Sequence, residues 1–417
     1  MTSGFSWLDH DESERRKMLE VVNLFREKGT LDELGFGTIR DTFADYFFPG
    51  TSTIQTRVRY FLFIPWFYLK LERDRVASAH VDQQARRWQA QLAKALTAGG
   101  EGEGTGVIGS QAGEQLQRPP SIVYWAGLSH WGIRTFPGSL VQYHMSFDGL
   151  SNESRRGLRS DDAEGELVEA SHRNWHGGLP DAPPDLFERA SFRLRREDAE
   201  YLQERILTTA PDKFLAHLVR GRRIPDRADA PWLYPDLAEL PHDLQIAIEH
   251  GRRFSLLVQG AQLIYNLMLA ERAVELGIRS DAELVDRYRE RLDRWIGEAQ
   301  LDLRTLRGWD REAFWAFIRE LSPGLRPATY RFAESWMTSA LEDPAAAPDR
   351  GEVRALITNR ERQLKGGLAR LYSRRALERW NGESGSGRLT YRWGQGRRVA
   401  ADIIEGLNRG DRPDARA

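Results

Sequence analysis

The chain of 417 residues contains no cysteine, which excludes disulfides and every thiolate-ligated zinc or iron–sulfur site. Lysine is nearly as scarce: six of the 60 basic residues are Lys and the rest Arg, a side chain suited to bidentate contact with phosphate or carboxylate. A GC-rich genome would produce the same bias. Long apolar runs are missing too. Tyr60–Leu69 offers ten uncharged residues, about half of what a bilayer crossing needs. The longer uncharged interior Phe254–Ala270 carries Ser255, Gln259, Gln262 and Asn266 on one helix face, which argues against lipid. The N-terminal stretch places acidic residues before any basic cluster and has no apolar core of signal-peptide length, so a cytoplasmic protein without a membrane partner is expected. There is no Walker A loop, no H-E-x-x-H, no nucleophile elbow and no dinucleotide glycine fingerprint.

What is present is ample core material, 41% hydrophobic and 10% aromatic, in a chain long enough for several domains. Apolar and charged residues alternate at three- and four-residue intervals over Glu14–Arg26, Val76–Leu96, Glu197–Leu207, Ala282–Trp295 and Arg354–Trp380, the pattern of amphipathic helices. "ASFRL" from Ala190 is the best strand candidate. The expected fold is mainly α with minor β, multi-domain, with helix-turn-helix-like units towards the N-terminus and a central buried helix at Glu249–Glu275. Glycine- and proline-rich breaks suggest an N-terminal helical domain (1–95), a flexible linker or long loop (96–120), a central mainly helical domain (121–343) and a basic helical segment (353–417). The polar stripe on the central helix is expected to form a buried hydrogen-bond network.

Helix-turn-helix character rests on "FPGTSTIQTRVRYFLFIPWFY", Phe48–Tyr68. Ile39, Phe43 and Phe47 repeat at helical spacing before it, Pro49 and Gly50 interrupt, and Ser52 with Gln55 three places on matches a capping box. A helix from Ser52 would bury Ile54, Val58, Phe61 and Leu62 and expose Thr53, Gln55, Thr56, Arg57 and Arg59, residue types that read bases and phosphates. A plain core hairpin bent at Pro65 shares the pattern. "FPGS" at Phe136–Ser139 echoes "FPGT" at Phe48–Thr51 and adds Gln142 as a contact candidate.

Charge is unevenly placed. Val353–Arg398 holds twelve basic residues against Glu361, Glu378 and Glu383, a local +9 in a chain of net charge −1. Interleaved with Tyr372, Trp380, Tyr391 and Trp393, this stripe suits a phosphate backbone with stackable bases, through Arg360, Arg362, Lys365, Arg374, Arg375, Arg392, Arg397 and Arg398. A solvated face paired with an acidic domain would look similar. For enzyme chemistry, Glu169, His172 and His176 at spacings of three and four would share one side of a helix in a metal-compatible set.

"FGTIRDTFADYFFPGTSTIQTRVRYFLFIPWFY", "IVYWAGLSHWGI", "RRFSLLVQGAQLIYNLMLAE" and "GRLTYRWGQGRRVAADI" resemble the bacterial family of unknown function numbered 6361 among domains of unknown function, over nearly the whole chain. The resemblance implies no catalytic residues and points towards proteins of mobile or anti-phage defence regions. The expectation is therefore a non-catalytic protein, without cofactor or metal, that binds DNA or a protein partner such as a DNA-processing enzyme. The alternatives are a metal-dependent hydrolase acting on nucleic acid through Glu169, His172 and His176, and a protein-interaction scaffold.

Overall fold

The computed structural model describes residues 32–102, 104–109, 116–149, 174–221, 228–278 and 282–409. Among these the regular structure is helical, and Arg134 with Trp175 forms an isolated β-bridge. The expected Glu14–Arg26 helix lies outside the described residues. In chain order the α-helices are α1 (Gly37–Phe47), α2 (Tyr60–Arg73), α3 (Ser78–Ala98), α4 (Pro120–His130), α5 (Leu140–Met145), α6 (Arg196–Thr209), α7 (Phe214–Arg220), α8 (His242–Glu275), α9 (Ala282–Leu301), α10 (Leu303–Arg307), α11 (Arg311–Leu321), α12 (Pro327–Glu342), α13 (Gly351–Lys365), α14 (Arg374–Glu378) and α15 (Trp393–Asn408). No helix among the described residues is long and apolar enough to cross a membrane.

The chain divides into two compact units. One comprises the described residues up to Thr42 with Glu249–Leu389. The other comprises Phe43–Ile248 with the described residues from Thr390. The basic segment anticipated as one piece is thus divided after Leu389.

The first unit is organised on α8, whose apolar residues from Phe254 to Ala270 are buried. Two indoles fasten neighbouring helices to its backbone: Trp295 Nε1 of α9 donates to the Leu256 carbonyl and Trp336 Nε1 of α12 to the Leu257 carbonyl, both at 2.8 Å. Gly260 allows the first approach, because a Cβ there would stand 2.2 Å from the Trp295 ring. The polar stripe performs the expected role at two positions. Ser255 Oγ accepts the Leu389 amide at 2.9 Å, and Asn266 exchanges two bonds of 2.8 Å with the Ser384 backbone, so α8 holds the chain that follows α14.

The second unit packs α15 on α6 and α7, and α2 against α3 and α4. Here the Phe48–Tyr68 stretch departs from expectation. No helix starts at Ser52; residues 51–59 form turns, and α2 begins only at Tyr60. The reason lies in where the backbone amides go. Those of Thr56 and Arg57 donate to the Tyr124 hydroxyl at 2.8 and 3.1 Å, and that of Val58 to Asp402 at 3.2 Å. Tertiary partners thus satisfy the donors that a helix would otherwise have paired. Val58, Phe61 and Leu62 are buried as expected, whereas Ile54 is only half-buried and Gln55, expected outside, is buried.

Two further corrections follow the same logic. "ASFRL" is not a strand: the Ala190 amide donates to the Ala95 carbonyl at the end of α3 and the Phe192 amide to the Glu101 carboxylate, leaving no ladder to form. Arg354–Trp380 is not one helix either. Gly366, with φ of +55°, closes α13, and a turn separates it from α14.

Candidate nucleic-acid interface

The arginines of the Phe48–Tyr68 stretch face carboxylates. Arg57 makes a bidentate pair with Asp402 at 3.0 and 2.8 Å, and a further bond to the Thr105 carbonyl. Arg59, 6% exposed, donates to the Ser191 carbonyl at 2.7 Å and to Asp198 at 3.2 Å. Thr56 Oγ1 donates to the Gly106 carbonyl, and Gln55 bridges the Ser52 amide and the Gly50 carbonyl. Thr53 is exposed. Gln142 is also exposed, but its side chain accepts the Ser139 amide at 2.8 Å while Ser139 Oγ accepts the Gln142 amide. The capping box expected at Ser52 is therefore found at Ser139, opening α5.

Several basic residues of the C-terminal segment are likewise internal. Arg360, 4% exposed, donates to the carbonyls of Leu34 and Gly35 and to Thr329 Oγ1. Arg392 meets Asp45 and the Thr51 carbonyl, Arg397 the Ala228 carbonyl at 3.1 Å, and Arg398, although exposed, the Thr56 carbonyl at 3.5 Å. Arg374 pairs with Glu378 one helical turn away.

Arg362, Arg375 and Arg379 are different. All three are exposed, and among the described residues none meets a carboxylate. Arg375 and Arg379 line a groove of about 550 Å³ with Gly367, Leu368, Arg370, Ser373 and Ala376. Residues 362–379 contain six basic side chains and one acidic, Glu378.

What shapes this surface is a buried ionic cluster beneath it. Glu361 is fully buried; it accepts the Tyr265 hydroxyl at 2.5 Å, Lys365 Nζ at 3.0 Å, and the amides of Arg370 and Leu371 at 2.9 and 3.0 Å. Glu33 pairs with Lys365 and, at 2.7 Å, with Arg370, whose guanidinium also reaches Ser384 Oγ at 2.8 Å. Burial alone would raise the Glu33 carboxyl, but the Lys365 and Arg370 cations outweigh it and hold it below the usual range. Burial and the nearby Glu361 carboxylate push the Tyr265 phenol far above its ordinary value, so it stays a donor. Lys365 is thereby consumed in the interior, as is the charge of Arg370. The cluster fixes the Gly366–Ser373 turn from which α14 projects. Glu361 and Lys365 lie one helical turn apart, but Glu33, more than 300 positions away, carried no signal in the sequence.

Of the four aromatics in the basic segment, Trp380, Tyr391 and Trp393 are buried and Tyr372 is 53% exposed. The Arg362 guanidinium lies 4.9 Å from the Tyr372 ring centroid.

Elsewhere, a cleft of about 530 Å³ in the second unit is lined by Arg59, Glu101, Asp185, Arg189 and Arg193 among others. There Arg59 is bound to Asp198 and Glu101 accepts from Ser191 and Phe192, while Asp185, Arg189 and Arg193 are exposed. The metal alternative fares differently by residue. Glu169 and His172 lie outside the described residues. His176 lies in a loop rather than on a helix; its Nε2 faces Arg205 at 2.7 Å and its Nδ1 accepts the Gly178 amide. Burial and the Arg205 cation lower its pKa. Among the described residues no group of three or more potential ligands converges.

No curated protein and no solved structure matches this chain. A family model does, over residues 2–406. The chain therefore belongs to the family of unknown function DUF6361.

Proposed function

We propose that this protein binds nucleic acid, without catalysing chemistry on it, through the Gly366–Arg379 surface of its first unit. The carrying observation is the contrast in charge state: Arg375 and Arg379 stand exposed in a groove without a carboxylate, while most other arginines of the basic segment are paired or internal. An uncompensated guanidinium on a fixed turn displaces counterions from a phosphate backbone without first breaking an internal ion pair, and its planar fork suits phosphate oxygens. Arg362, Arg375 and Arg379 supply three such groups. The setting is cytoplasmic, and an accessory role beside a DNA-processing enzyme fits a surface with no catalytic cluster in it.

Exposed Leu364 and Leu368, 39% and 73% accessible, favour a second reading in which the same surface docks a protein. Anisotropy of labelled DNA across a salt series separates the two. The folded protein should bind at low salt, and Arg375→Ala or Arg379→Ala should each weaken binding and flatten the log–log salt slope by about one unit. Absence of binding at low salt removes the nucleic-acid reading and leaves protein docking.

A further inference from the structure

We infer that this surface takes single-stranded rather than duplex nucleic acid, with one base stacked on Tyr372; the inference rests on the nucleic-acid reading above. Its starting point is the ring itself. Tyr372 is 53% exposed, whereas the other three aromatics of the segment are buried. Arg362 covers one face of the Tyr372 ring, with its guanidinium 4.9 Å from the centroid. The cation restrains the ring, and the exposed remainder can receive a base.

The presentation is stiff. Glu361 anchors the amides of Arg370 and Leu371, the Tyr372 amide donates to the Ala369 carbonyl at 3.1 Å, and Ser373, whose amide donates to the same carbonyl at 2.8 Å, caps α14 through its hydroxyl. Tyr372 therefore sits on a turn whose backbone is already paid for in hydrogen bonds, so little ordering entropy opposes stacking.

Geometry disfavours the duplex. The exposed basic helix α14 has five residues, about 7.5 Å of length, too short to lie along a major groove and read several base pairs. Duplex bases also keep their faces stacked on one another, so only an unpaired strand can offer a face to Tyr372. Arg375 and Arg379, four residues apart and about 6 Å along the helix axis, project towards one side and can follow a single backbone.

The test uses the full chain with a labelled single strand of about 16 nucleotides and the duplex of the same sequence. The single strand should bind about tenfold or more tighter. Tyr372→Ala should weaken single-strand binding by about five- to a hundredfold, Tyr372→Phe should retain it, and Tyr372→Leu, which keeps bulk but no aromatic face, should behave like Tyr372→Ala. Thermal melts of each variant establish that it is folded. Equal affinity for both forms, or a folded Tyr372→Leu binding as the unsubstituted protein does, overturns the single-strand inference while Arg375→Ala still reports on the nucleic-acid reading. If neither form binds, the reading beneath it fails as well.

Discussion

Two turns rich in arginine, Thr51–Arg59 in the second unit and Gly366–Arg379 in the first, use the same side chain in opposite ways. In the former, each guanidinium finds a carboxylate distant in sequence, Arg57 with Asp402 and Arg59 with Asp198, and the arginines act as internal braces. In the latter, the carboxylates Glu33 and Glu361 are taken by Lys365 and Arg370 in the interior, and Arg375 and Arg379 are left over at the surface. The lesson is that arginine content says little about binding. What matters is how many guanidiniums remain after the protein's own carboxylates have been satisfied.

The sharpest way to break this comparison is to remove a brace. Asp198 is fully buried and accepts from the guanidiniums of Arg59 and Arg195 and from the backbone amide of Arg195, the residue at the N-cap of α6. Asp198→Ala should destabilise the protein by about 3–5 kcal/mol, because it strands a buried guanidinium. Arg375→Ala should change stability by less than about 0.5 kcal/mol, since it removes a solvated side chain with no partner. Denaturant melts of the two variants measure both. Comparable losses would mean that the two turns are not built differently.

Acid offers a second, intermediate effect. Because Glu33 is held below its ordinary pKa in the folded protein, its stabilising contribution is complete above the unfolded value of about 4.3 and is lost as pH falls through the folded value. Unfolding free energy should therefore decline below about pH 5, and Glu33→Gln, while less stable at neutral pH, should show a flatter profile between about pH 5 and 3. An unchanged slope in the variant would show that Glu33 is not the titrating group.

The smallest effect concerns the paired "FPG" turns. Ser139 caps α5, so Ser139→Ala should cost about 1 kcal/mol. Ser52 Oγ is buried with no hydrogen-bond partner, and Ser52→Ala should stay within about 0.5 kcal/mol. The turns differ in their glycines as well. Gly50 has φ of +77° and packs against the Trp131 indole, whereas Gly138 is not in the left-handed region. A three-residue match in sequence thus corresponds to two different local structures.

Periodicity located α1, α3, α6 and α9 well, because each buries a regular apolar face; α8 was recognised by its apolar interior but begins at His242, before the expected Glu249. Periodicity failed at Ser52 and at "ASFRL" for one physical reason. Backbone donors there are satisfied by the Tyr124 hydroxyl, Asp402 and Glu101, groups far away in sequence that no local pattern reveals. The candidate site was legible as a region, since the excess charge of residues 353–398 is a matter of composition. Which members were available was not legible, because Arg360 and Arg362 look alike two positions apart and differ only in burial.

The sequence alone determined that the protein is mainly helical, that it has no thiolate chemistry, that α8 is buried, and that its basic residues concentrate near the C-terminal end. These follow from composition and from short-range spacing, which act before any tertiary contact exists. Tertiary structure alone decided which arginines are neutralised. An ion pair depends on bringing together residues such as Arg57 and Asp402, some 345 positions apart, and that meeting is set by how helices pack, through the whole of each unit's core rather than through any local run of residues.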